Sequence, residues 1–294
     1  MTYMPAYDSS EQLFQWCKIP PHELPSHPKA KVKLKILPTP QDVHANIANT
    51  MLEELKANRN GNQPTRWILP CGPRGQYPIF AKTVNRERIS LRNLHVFHMD
   101  DHLDWQGRHL PMDHPYSYQG WMTRNFYDQI DPALNVPQEH RHFPNIARLD
   151  EMAEKIRAVG GIDSVFGGIG YRGHIAFNES PRSPWYRVSE EEFRDCTTRV
   201  LHLNDDTLIA LSQRGAGGCT DAIPPMVITL GMRELLSARR IRLYSETGAW
   251  KQTVIRILLF GRVSPDIPVT YVQEHSDCEI VVDAATADCP PVGV

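Results

Sequence analysis

The side chains with the clearest capacity for chemistry in this 294-residue chain lie in two short segments. In HVFHMDDHLD, Asp100 and Asp101 stand next to each other after an apolar run, and in VFGGIGYRGHIAFNE, His174 stands five residues before Glu179. Adjacent carboxylates in a cleft with little water can hold one ionised base at neutral pH, and a nearby histidine and carboxylate can form an acid/base pair. Both segments therefore indicate proton-transfer chemistry.

The second segment also contains a literal G-x-G-x-x-G from Gly168 to Gly173, a pattern that can indicate a dinucleotide site. Such a site requires the last glycine to open a long helix whose N-terminus holds the pyrophosphate. Here Ile175, Asn178 and Pro181 follow closely, and they do not favour a long helix. The pattern therefore predicts a tight turn, either purely structural or part of a different kind of site.

The first segment invites a metal interpretation, because His98, Asp100 and His102 have the types and close spacing of divalent-cation ligands. Side chains alternate along a strand, however, and no distant cluster of Cys or His is evident to complete the ligand set. We therefore expect no metal. A solvated acidic loop after a buried strand remains an alternative for this segment taken alone.

The overall composition indicates what kind of partner to expect. Hydrophobic residues make up 41% of the chain and charged residues 22%, with a formal net charge of -2. These values exclude a disordered chain and give no general reason to expect nucleic acid or a membrane, so we expect a small-molecule partner. The six cysteines are scattered without a C-x-x-C pair, and there is no signal-like N-terminus and no run of 18 apolar residues. We expect a cytoplasmic protein.

The elements that must position these side chains follow an alternating pattern. Apolar residues four apart predict a helix from Gln41 to Asn58, and further helical stretches separate short apolar runs. The runs are RWILPCG, LHVFHMDD, DSVFGGIG, IRLYSE, PVTYVQEH and CEIVVDA. Strands alternating with helices predict an α/β fold with a Rossmann-like, mostly parallel sheet and helices on both faces, in three layers.

The chain is expected to divide into two parts. Residues 1–31 include four prolines between positions 20 and 28, and these predict an irregular, proline-rich arm laid over the rest of the molecule. Residues 32–294 are expected to form a single α/β domain, because folds of this class often reach this length as one domain.

Ligands of open parallel sheets bind beyond the carboxyl ends of the strands. Three segments are expected at such positions, namely 71–78, 100–102 and 168–179. We expect all three to face one cleft, which would bring the acid/base candidates close to the Gly-rich turn at 71–78.

Three blocks of the chain carry a family resemblance: FHMDDH, HPYSYQGWMTRNFYDQI and GGIGYRGHIAFNES. They are similar to F-x-M-D-E-Y, to H-P-x-S-Y with an aromatic helix, and to G-x-G-x-D-G-H-I-A-F-N-E-P. Together these patterns resemble the glucosamine-6-phosphate deaminase/isomerase family, which shares its fold with 6-phosphogluconolactonase. The resemblance runs from about Val32 to the C-terminus.

The resemblance implies metal-free aldose–ketose chemistry on an amino-sugar phosphate, with loss of ammonia and no cofactor. Asp100 stands at the position of the base that moves a proton between C2 and C1 of the opened sugar. His174 matches the residue that opens the ring, and Glu179 matches the carboxylate that orients it. A sugar phosphate is therefore the expected ligand, and the sequence leaves a homo-oligomer open.

Phosphate binding requires backbone N–H groups and cations, and the turn that contains Gly72, Arg74 and Gly75 is the natural cradle. Lys251 aligns with a phosphate lysine of the family, and Arg214 lies close to a phosphate arginine. The cradle departs from the family turn T-G-x-T/S-P because it lacks the hydroxyl residue. Arg74 is the side chain expected to take its place.

The largest departure from the family pattern is Arg172, which stands where the family has the aspartate of D-G-H. A guanidinium near His174 favours the neutral imidazole, whereas a carboxylate favours the imidazolium. We expect Arg172 to project into the cleft and to contact an anion, either Asp100, Asp101, Glu179 or the substrate. If the substrate supplies the anion, the natural ligand differs from plain glucosamine 6-phosphate.

Two other functions on the same fold stay open. Another sugar-phosphate enzyme, such as a lactonase-like hydrolase, would not require Asp100 as a carbon-acid base. A sugar-phosphate sensor would bind its ligand without turnover, and ligand-dependent stabilisation alone would reveal it. Release of ammonia separates the deaminase from both.

Overall fold

The computed structural model describes residues 5–183 and 185–291. The strands of this described part are β1 Lys33–Leu37, β2 Thr65–Leu69, β3 Leu94–His98, β4 Asp100–Leu103, β5 Arg141–His142, β6 Ser164–Gly168, β7 Arg199–His202, β8 Met226–Thr229, β9 Arg240–Ser245 and β10 Cys278–Asp283. Its α-helices are α1 Ser10–Cys17, α2 Pro40–Asn60, α3 Gln76–Glu87, α4 Tyr118–Asn125, α5 Glu151–Ala158, α6 Glu190–Arg194, α7 Asp205–Gly215, α8 Met232–Leu236, α9 Gln252–Phe260 and α10 Ala284–Ala287. Within these ranges, no helix combines the length and the apolar character that crossing a bilayer requires.

Seven of these strands form one parallel sheet in the order β1-β10-β9-β6-β2-β3-β5. From β2 the chain builds outward through β3 to β5, and then crosses back to place β6 on the other side of β2. Because the winding reverses between β2 and β6, a crevice forms beyond the carboxyl ends of these two strands. The predicted mostly parallel sheet is confirmed.

Successive residues of the central strands belong to two hydrophobic cores, one on each face of the sheet. In β2, Ile68 packs into one core and Trp67 into the other, and in β6 the neighbours Val165 and Phe166 divide in the same way. Helices α2, α3 and α4 supply the core on the Trp67 face, whereas α5, α8 and α9 supply the opposite core. Because the strands are buried on both faces, helices must pack against each face of the sheet. The predicted three-layer arrangement is confirmed.

The first predicted helix is also confirmed, and its start has a clear local cause. The Thr39 hydroxyl accepts a hydrogen bond from the Asp42 N–H, and the Asp42 carboxylate accepts one from the Thr39 N–H. This reciprocal capping, with Pro40 at the first helical position, fixes where α2 begins. The apolar stripe of the helix is buried in the core, as predicted.

A second, smaller sheet is a feature that the sequence did not predict. After β3 the chain passes through Met99 and continues as β4, which pairs antiparallel with β8, and β8 pairs antiparallel with β7. Asp100 and Asp101 therefore begin a strand instead of a loop. All four residues of β4 are buried, so the alternative of a solvated acidic loop is wrong.

One predicted strand is wrong. The segment PVTYVQEH forms a 3₁₀ helix, Pro268–Glu274, with a proline at its first position, where the fixed φ of proline favours a helical start. The Thr270 hydroxyl lies within hydrogen-bond distance of the Ile267 carbonyl oxygen, 2.8 Å away. Residues 268–272 are all buried, so their apolar, β-branched composition reflects burial on every side. The neighbouring prediction, CEIVVDA, is confirmed as β10.

The N-terminal segment is more regular than predicted. The prolines expected to prevent regular structure all follow α1, which forms unhindered, and a 3₁₀ helix (Pro21–Ser26) follows it. Arg256 of α9 is fully buried and donates hydrogen bonds to the carbonyl oxygens of Trp16, Ile19 and Ala287. These bonds hold the N-terminal segment against the C-terminal end of the chain. A domain boundary after residue 31 stays a prediction.

Candidate active site

The crevice between β2 and β6 is lined by all three segments that were predicted to meet there. Cys71, Gly72 and Pro73 follow β2, Asp100 begins β4, and Gly168 ends β6 and is followed in the lining by Ile169 and Gly170. The prediction that these segments share one cleft is confirmed. In the paragraphs below, "the cleft" means this crevice.

Asp100 is the carboxylate of the pair that faces the cleft. It lies opposite Thr229 in the small sheet and is 8% exposed. Burial raises the pKa of Asp100 to about 8, and the negative charge of Asp101 adds to this effect. A desolvated carboxylate that can be reached from a cleft is suited to accept a proton and return it near neutral pH.

Asp101 is committed to holding a helix. Its carboxylate accepts hydrogen bonds from the backbone N–H groups of His102 (2.8 Å), Tyr118 (2.7 Å) and Gln119 (3.1 Å), the last two in the first turn of α4. Burial raises the pKa of Asp101 to about 6 even though these N–H groups lower it. The two adjacent carboxylates thus differ: Asp101 positions α4, and Asp100 remains available to a ligand.

The histidines on either side of these carboxylates have other contacts. The Nε2 atom of His98 lies 2.7 Å from the Tyr127 hydroxyl, and His102 is fully buried among three aromatic rings. Burial lowers the pKa of His98 to about 3 and that of His102 to about 4. In residues 5–183 and 185–291, no group of three or more His, Cys, Asp or Glu side chains is arranged to hold a metal ion.

His174 and Glu179 lie next to each other. The His174 Nδ1 atom is 3.2 Å from Glu179 Oε1, at an ion-pair distance without the alignment of a hydrogen bond. Glu179 also accepts hydrogen bonds from the Asn204 N–H (2.7 Å) and the Thr207 hydroxyl. Burial raises the pKa of Glu179, but the contacts with His174, Thr207 and Asn204 outweigh burial and leave this pKa below its usual range. Glu179 is therefore an ionised, fixed carboxylate that can orient an imidazole.

The three glycines of G-x-G-x-x-G shape the turn that carries His174. A Cβ atom on Gly170 would lie 1.8 Å from His174 Nε2, so only glycine fits beneath the ring. Gly173 has a φ of 78°, which glycine adopts readily, and its N–H donates to the Gly170 carbonyl oxygen. A Cβ on Gly168 would lie 3.0 Å from the Gly72 carbonyl oxygen, at the wall of the cleft. In the described residues the next α-helix is α6, so no long helix opens at this turn.

His174 and Glu179 line a second, smaller pocket beside the cleft, whereas Asp100 lines the cleft itself. Gly170 lines the cleft, and the ring of His174 lies against its Cα. The glycine turn therefore stands between the two spaces, and the acid/base candidates occupy neighbouring compartments.

Arg172 lines this smaller pocket, but its anionic partner differs from the three predicted carboxylates. Its Nε atom lies 3.9 Å from Asp206 Oδ2, and Asp206 also pairs with Arg182. The Arg172 side chain is 49% exposed, so solvent already offsets much of the cost of its charge. The predicted contact of Arg172 with Asp100, Asp101 or Glu179 is therefore wrong, and a contact with an anionic group of the substrate stays a prediction. Asp206 belongs to α7, whose approach to this pocket depends on the tertiary fold.

The predicted phosphate cradle is only partly at the cleft. Gly72 and Arg214 line the cleft. Arg74 is exposed and places its guanidinium carbon 4.5 Å from the centre of the Trp121 ring, and Gly75 is the N-cap of α3. Neither Arg74 nor Gly75 belongs to the lining of the cleft.

Lys251 is a buried cation whose charge neighbours line the cleft. It is 2% exposed, and in the described part of the chain no carboxylate forms an ion pair with its ammonium group. Burial lowers the pKa of Lys251 to about 8, Arg214 lowers it further, and Glu246 opposes both. Arg214 and Glu246 both line the cleft. Because a buried ammonium without a counter-ion is costly, this position favours an anionic ligand.

The cleft also contains residues that were not predicted. Tyr118 comes from α4, and Ser245, Glu246 and Thr247 come from the carboxyl end of β9. Strand β9 lies beside β6 in the sheet, so the strand-end rule that located the other segments also applies to it. The run IRLYSE, which ends at Glu246, is the sequence signal from which the position of these residues at the cleft could have been predicted.

Proteins similar to this chain are consistent with this geometry. No protein-family model matches the chain. The glucosamine-6-phosphate deaminase of Cronobacter sakazakii is 31% identical over 257 residues, which cover 86% of this chain and 90% of the relative. The glucosamine-6-phosphate deaminase of Porphyromonas gingivalis is 32% identical over 243 residues, which cover 81% and 86% respectively.

Solved structures show the same relationship. A monomeric glucosamine-6-phosphate deaminase superposes with a TM-score of 0.73 at 25% identity, covering 87% of this chain and 98% of the other. A 6-phosphogluconolactonase from Trypanosoma cruzi superposes with a TM-score of 0.63 at 16% identity, covering 87% and 96%, and this likeness concerns the fold alone. Because relatives above 30% identity match most of its length, the chain belongs to the glucosamine-6-phosphate deaminase family.

Proposed function

We propose that this protein converts an amino-sugar 6-phosphate into a ketose phosphate and ammonia, by ring opening followed by proton transfer between C2 and C1. The observation that carries the proposal is Asp100, a buried carboxylate at the cleft with a pKa raised to about 8. Such a group can take a proton from carbon and give it back, which the isomerisation requires.

Ring opening is assigned to His174. This step moves a proton from the anomeric hydroxyl to the ring oxygen, and it needs a group that can both accept and donate. Glu179 lies at Nδ1 of the imidazole, which leaves Nε2 over Gly170, a residue of the cleft wall. A carboxylate held by Asn204 and Thr207 keeps the imidazole in one orientation, and this is the role assigned to Glu179.

Proton transfer is assigned to Asp100. In the open-chain sugar, the ionised carboxylate removes the proton from C2; the electrons of the C–H bond form the C1=C2 bond, the C1=O electrons move to O1, and O1 takes a proton from solvent to give an enolamine. The carboxylic acid then returns its proton to C1 while the nitrogen lone pair forms C2=N, and water adds to this iminium carbon. Ammonia leaves as the ammonium ion when the C2 carbonyl of the ketose forms. The pKa of about 8 keeps both protonation states accessible at neutral pH, so one group can perform both transfers.

Binding of the phosphate is assigned to Lys251, Arg214 and the backbone at Gly72. Lys251 is buried without an ion-pair partner among the described residues, and Arg214 and Gly72 line the cleft. A dianionic phosphate supplies the counter-charge that the buried ammonium lacks. Arg74 and Gly75, expected as further ligands, contribute only if the turn moves toward the cleft.

A lactonase-like hydrolase is the second candidate, and one observation favours it. His174 and Glu179 occupy a pocket separate from Asp100, and a histidine–carboxylate pair could activate a water for hydrolysis without Asp100. The fold is shared with 6-phosphogluconolactonases. In this alternative, Asp100→Asn leaves hydrolysis intact.

The test is a panel of amino-sugar 6-phosphates, with ammonia and ketose phosphate measured together. Equal amounts of the two products from glucosamine 6-phosphate, and their loss in Asp100→Asn, support the proposal. Hydrolysis of a phosphorylated lactone that survives Asp100→Asn would favour the lactonase. Ligand-dependent stabilisation without any product would favour a sensor.

We further propose that the protein works in the reducing environment of the cytoplasm. All six cysteines are free thiols in the described residues, and three of them are buried. A homo-oligomer stays a prediction.

A further inference from the structure

The segment that joins β9 to α9 lines the cleft with three consecutive polar residues, Ser245, Glu246 and Thr247. Side chains alternate along β9, where Leu243 packs into the core that α9 covers and Tyr244 into the core that α2 covers. Ser245 is therefore expected on the α9 side of the sheet. The Ser245 and Thr247 hydroxyl oxygens lie 3.2 Å apart, so both side chains lie on the same side of the segment.

Glu246, which stands between them, is directed toward α2. Its Oε1 atom lies 3.6 Å from Nε2 of His44, a residue of α2. The carboxylate and the two hydroxyls thus lie on opposite sides of the segment. Because like charges repel, the hydroxyl side is the one that suits an anionic ligand.

The same segment leads directly to Lys251. A 3₁₀ helix, Gly248–Trp250, connects the hydroxyls to this lysine, and the N–H of its first residue donates a hydrogen bond to the Thr286 hydroxyl (2.9 Å). Beyond the lysine, the Gln252 side-chain amide donates to the Ala285 carbonyl oxygen (2.9 Å). Both bonds tie the segment to α10, so one anchored piece of chain carries the two hydroxyls and the buried ammonium.

Aliphatic hydroxyls and cations are scarce at the cleft. Among the described residues that line it, Ser245 and Thr247 are the only serine and threonine, and Arg214 is the only cation. The turn at 71–75, CGPRG, contains neither serine nor threonine. Serine or threonine hydroxyls that reach a ligand in the cleft therefore come from the segment after β9.

We propose that the hydroxyls of Ser245 and Thr247 bind the phosphate of the substrate, each donating a hydrogen bond to a phosphate oxygen. Without a ligand, their separation allows one hydroxyl to donate to the other, so only one of the two protons is used within the pair. A phosphate oxygen is a charged acceptor, and hydrogen bonds to charged groups are stronger than those between neutral groups. The inference rests on the proposed function in placing the phosphate at this end of the cleft, with Arg214 and Lys251.

Two substitutions remove one hydroxyl each with little change in shape, Ser245→Ala and Thr247→Val. In each variant, the Kd for inorganic phosphate and the KM for glucosamine 6-phosphate are expected to rise about tenfold, because one hydrogen bond to a charged group is lost. The KM for unphosphorylated glucosamine is expected to change much less. Thr247→Ser keeps a hydroxyl and is expected to retain most of the affinity for phosphate. Ser237→Ala is the matched control, because that hydroxyl lies at the end of α8, 2.9 Å from the Glu234 carbonyl oxygen, and does not line the cleft.

The experiment is calorimetric titration of the wild type and the four variants with inorganic phosphate, followed by steady-state kinetics on the phosphorylated and the unphosphorylated sugar. Thermal unfolding shows first that each variant is folded. An unchanged Kd for phosphate in either Ser245→Ala or Thr247→Val, an equal rise in KM for unphosphorylated glucosamine, or a wild type that does not bind phosphate would each overturn the inference. So would a Thr247→Ser variant that binds phosphate as weakly as Thr247→Val. The proposed function fails separately, if phosphate binding weakens in the two variants as expected but the wild type releases no ammonia from any amino-sugar phosphate.

Discussion

Replacing Asp100 with asparagine is expected to inactivate the enzyme and also to stabilise its fold. The wild-type carboxylate is buried in the cleft wall beside Asp101, and its pKa is raised from 3.8 to about 8. At about 1.4 kcal/mol for each pH unit, an ionised Asp100 lowers the free energy of unfolding by ~6 kcal/mol. The asparagine side chain has nearly the same shape and no charge, so it avoids this cost.

The sign of the pH dependence follows from the same values. Because the pKa in the folded state lies above that in the unfolded state, the favourable contribution of protonated Asp100 is fully present below about pH 4. It is lost progressively as pH rises toward 8, where the folded protein also releases the proton. The stability advantage of Asp100→Asn over the wild type is therefore small near pH 5 and reaches several kcal/mol at pH 8.5.

Denaturant unfolding at pH 5.5, 7 and 8.5, with ammonia release measured on the same samples, tests this prediction. Activity is expected to fall by about 10²–10⁴-fold, the range that general-base catalysis supplies. Asp101→Ala is the matched control, because it leaves three backbone N–H groups without their acceptor and should destabilise the protein by about 1–3 kcal/mol. An Asp100→Asn protein that is less stable than wild type at pH 8.5, or a stability difference that does not change with pH, would refute the reasoning.

Four further outcomes are expected. Lys251→Ala should raise KM for glucosamine 6-phosphate by the equivalent of ~1.5–3 kcal/mol, and an equal rise for unphosphorylated glucosamine would exclude a phosphate contact. Gly170→Ala should displace the ring of His174 and lower kcat at least ~10²-fold, with circular dichroism used to check that the fold persists. The pH profile of kcat/KM should have a narrow maximum near 8, because Asp100 must lose its proton and Lys251 must keep one; a flat profile from pH 6 to 9 contradicts both roles. Arg172→Asp should lower ammonia release from glucosamine 6-phosphate, and a faster variant would show that a carboxylate at this position is what the site lacks.

Five of the seven strands of the main sheet could be predicted because they carry local signals; these are β2, β3, β6, β9 and β10. Each of these runs is short, apolar and closed by Gly, Asp or Glu, as in RWILPCG and IRLYSE. Because these strands are buried on both faces, their apolar residues do not alternate with polar ones. The second sheet could not be predicted in this way. Only Met99 separates β3 from β4, and the change of partner from the parallel sheet to β8 depends on contacts distant in sequence. The segment 268–274 was wrongly predicted as a strand for a related reason. Because it is buried on all sides, its composition is as apolar and β-branched as that of a buried strand.

The candidate site was predictable to the extent that it follows the strand-end rule. The rule placed Asp100, Gly72 and the glycine turn at one cleft, and it needed only the order of apolar runs. It did not place Arg74, because side-chain direction within a turn depends on what packs beside it, here the Trp121 ring. It also could not show that His174 faces a separate pocket.

Arg172 shows why the charge near His174 could not be predicted from the motif alone. In the motif, a guanidinium in place of an aspartate inverts the charge beside His174. In the folded chain, α7 brings Asp206 to the same pocket, where it contacts Arg172 and pairs with Arg182. A carboxylate is therefore present near the imidazole although it comes from a different element, and the positive charge of Arg172 is offset before any ligand arrives.

This arrangement also decides what an aspartate at position 172 would do. Placed next to Asp206 in a pocket that Glu179 and Asp266 also line, it would add a fourth carboxylate, and of the two arginines that line the pocket only Arg182 would remain. Like charges gathered in a small pocket disfavour ionisation of each member, and a Glu179 that holds a proton no longer presents a negative charge to the imidazole. We therefore expect that one substitution does not restore the function of the family motif, because Asp206 already places a carboxylate beside position 172.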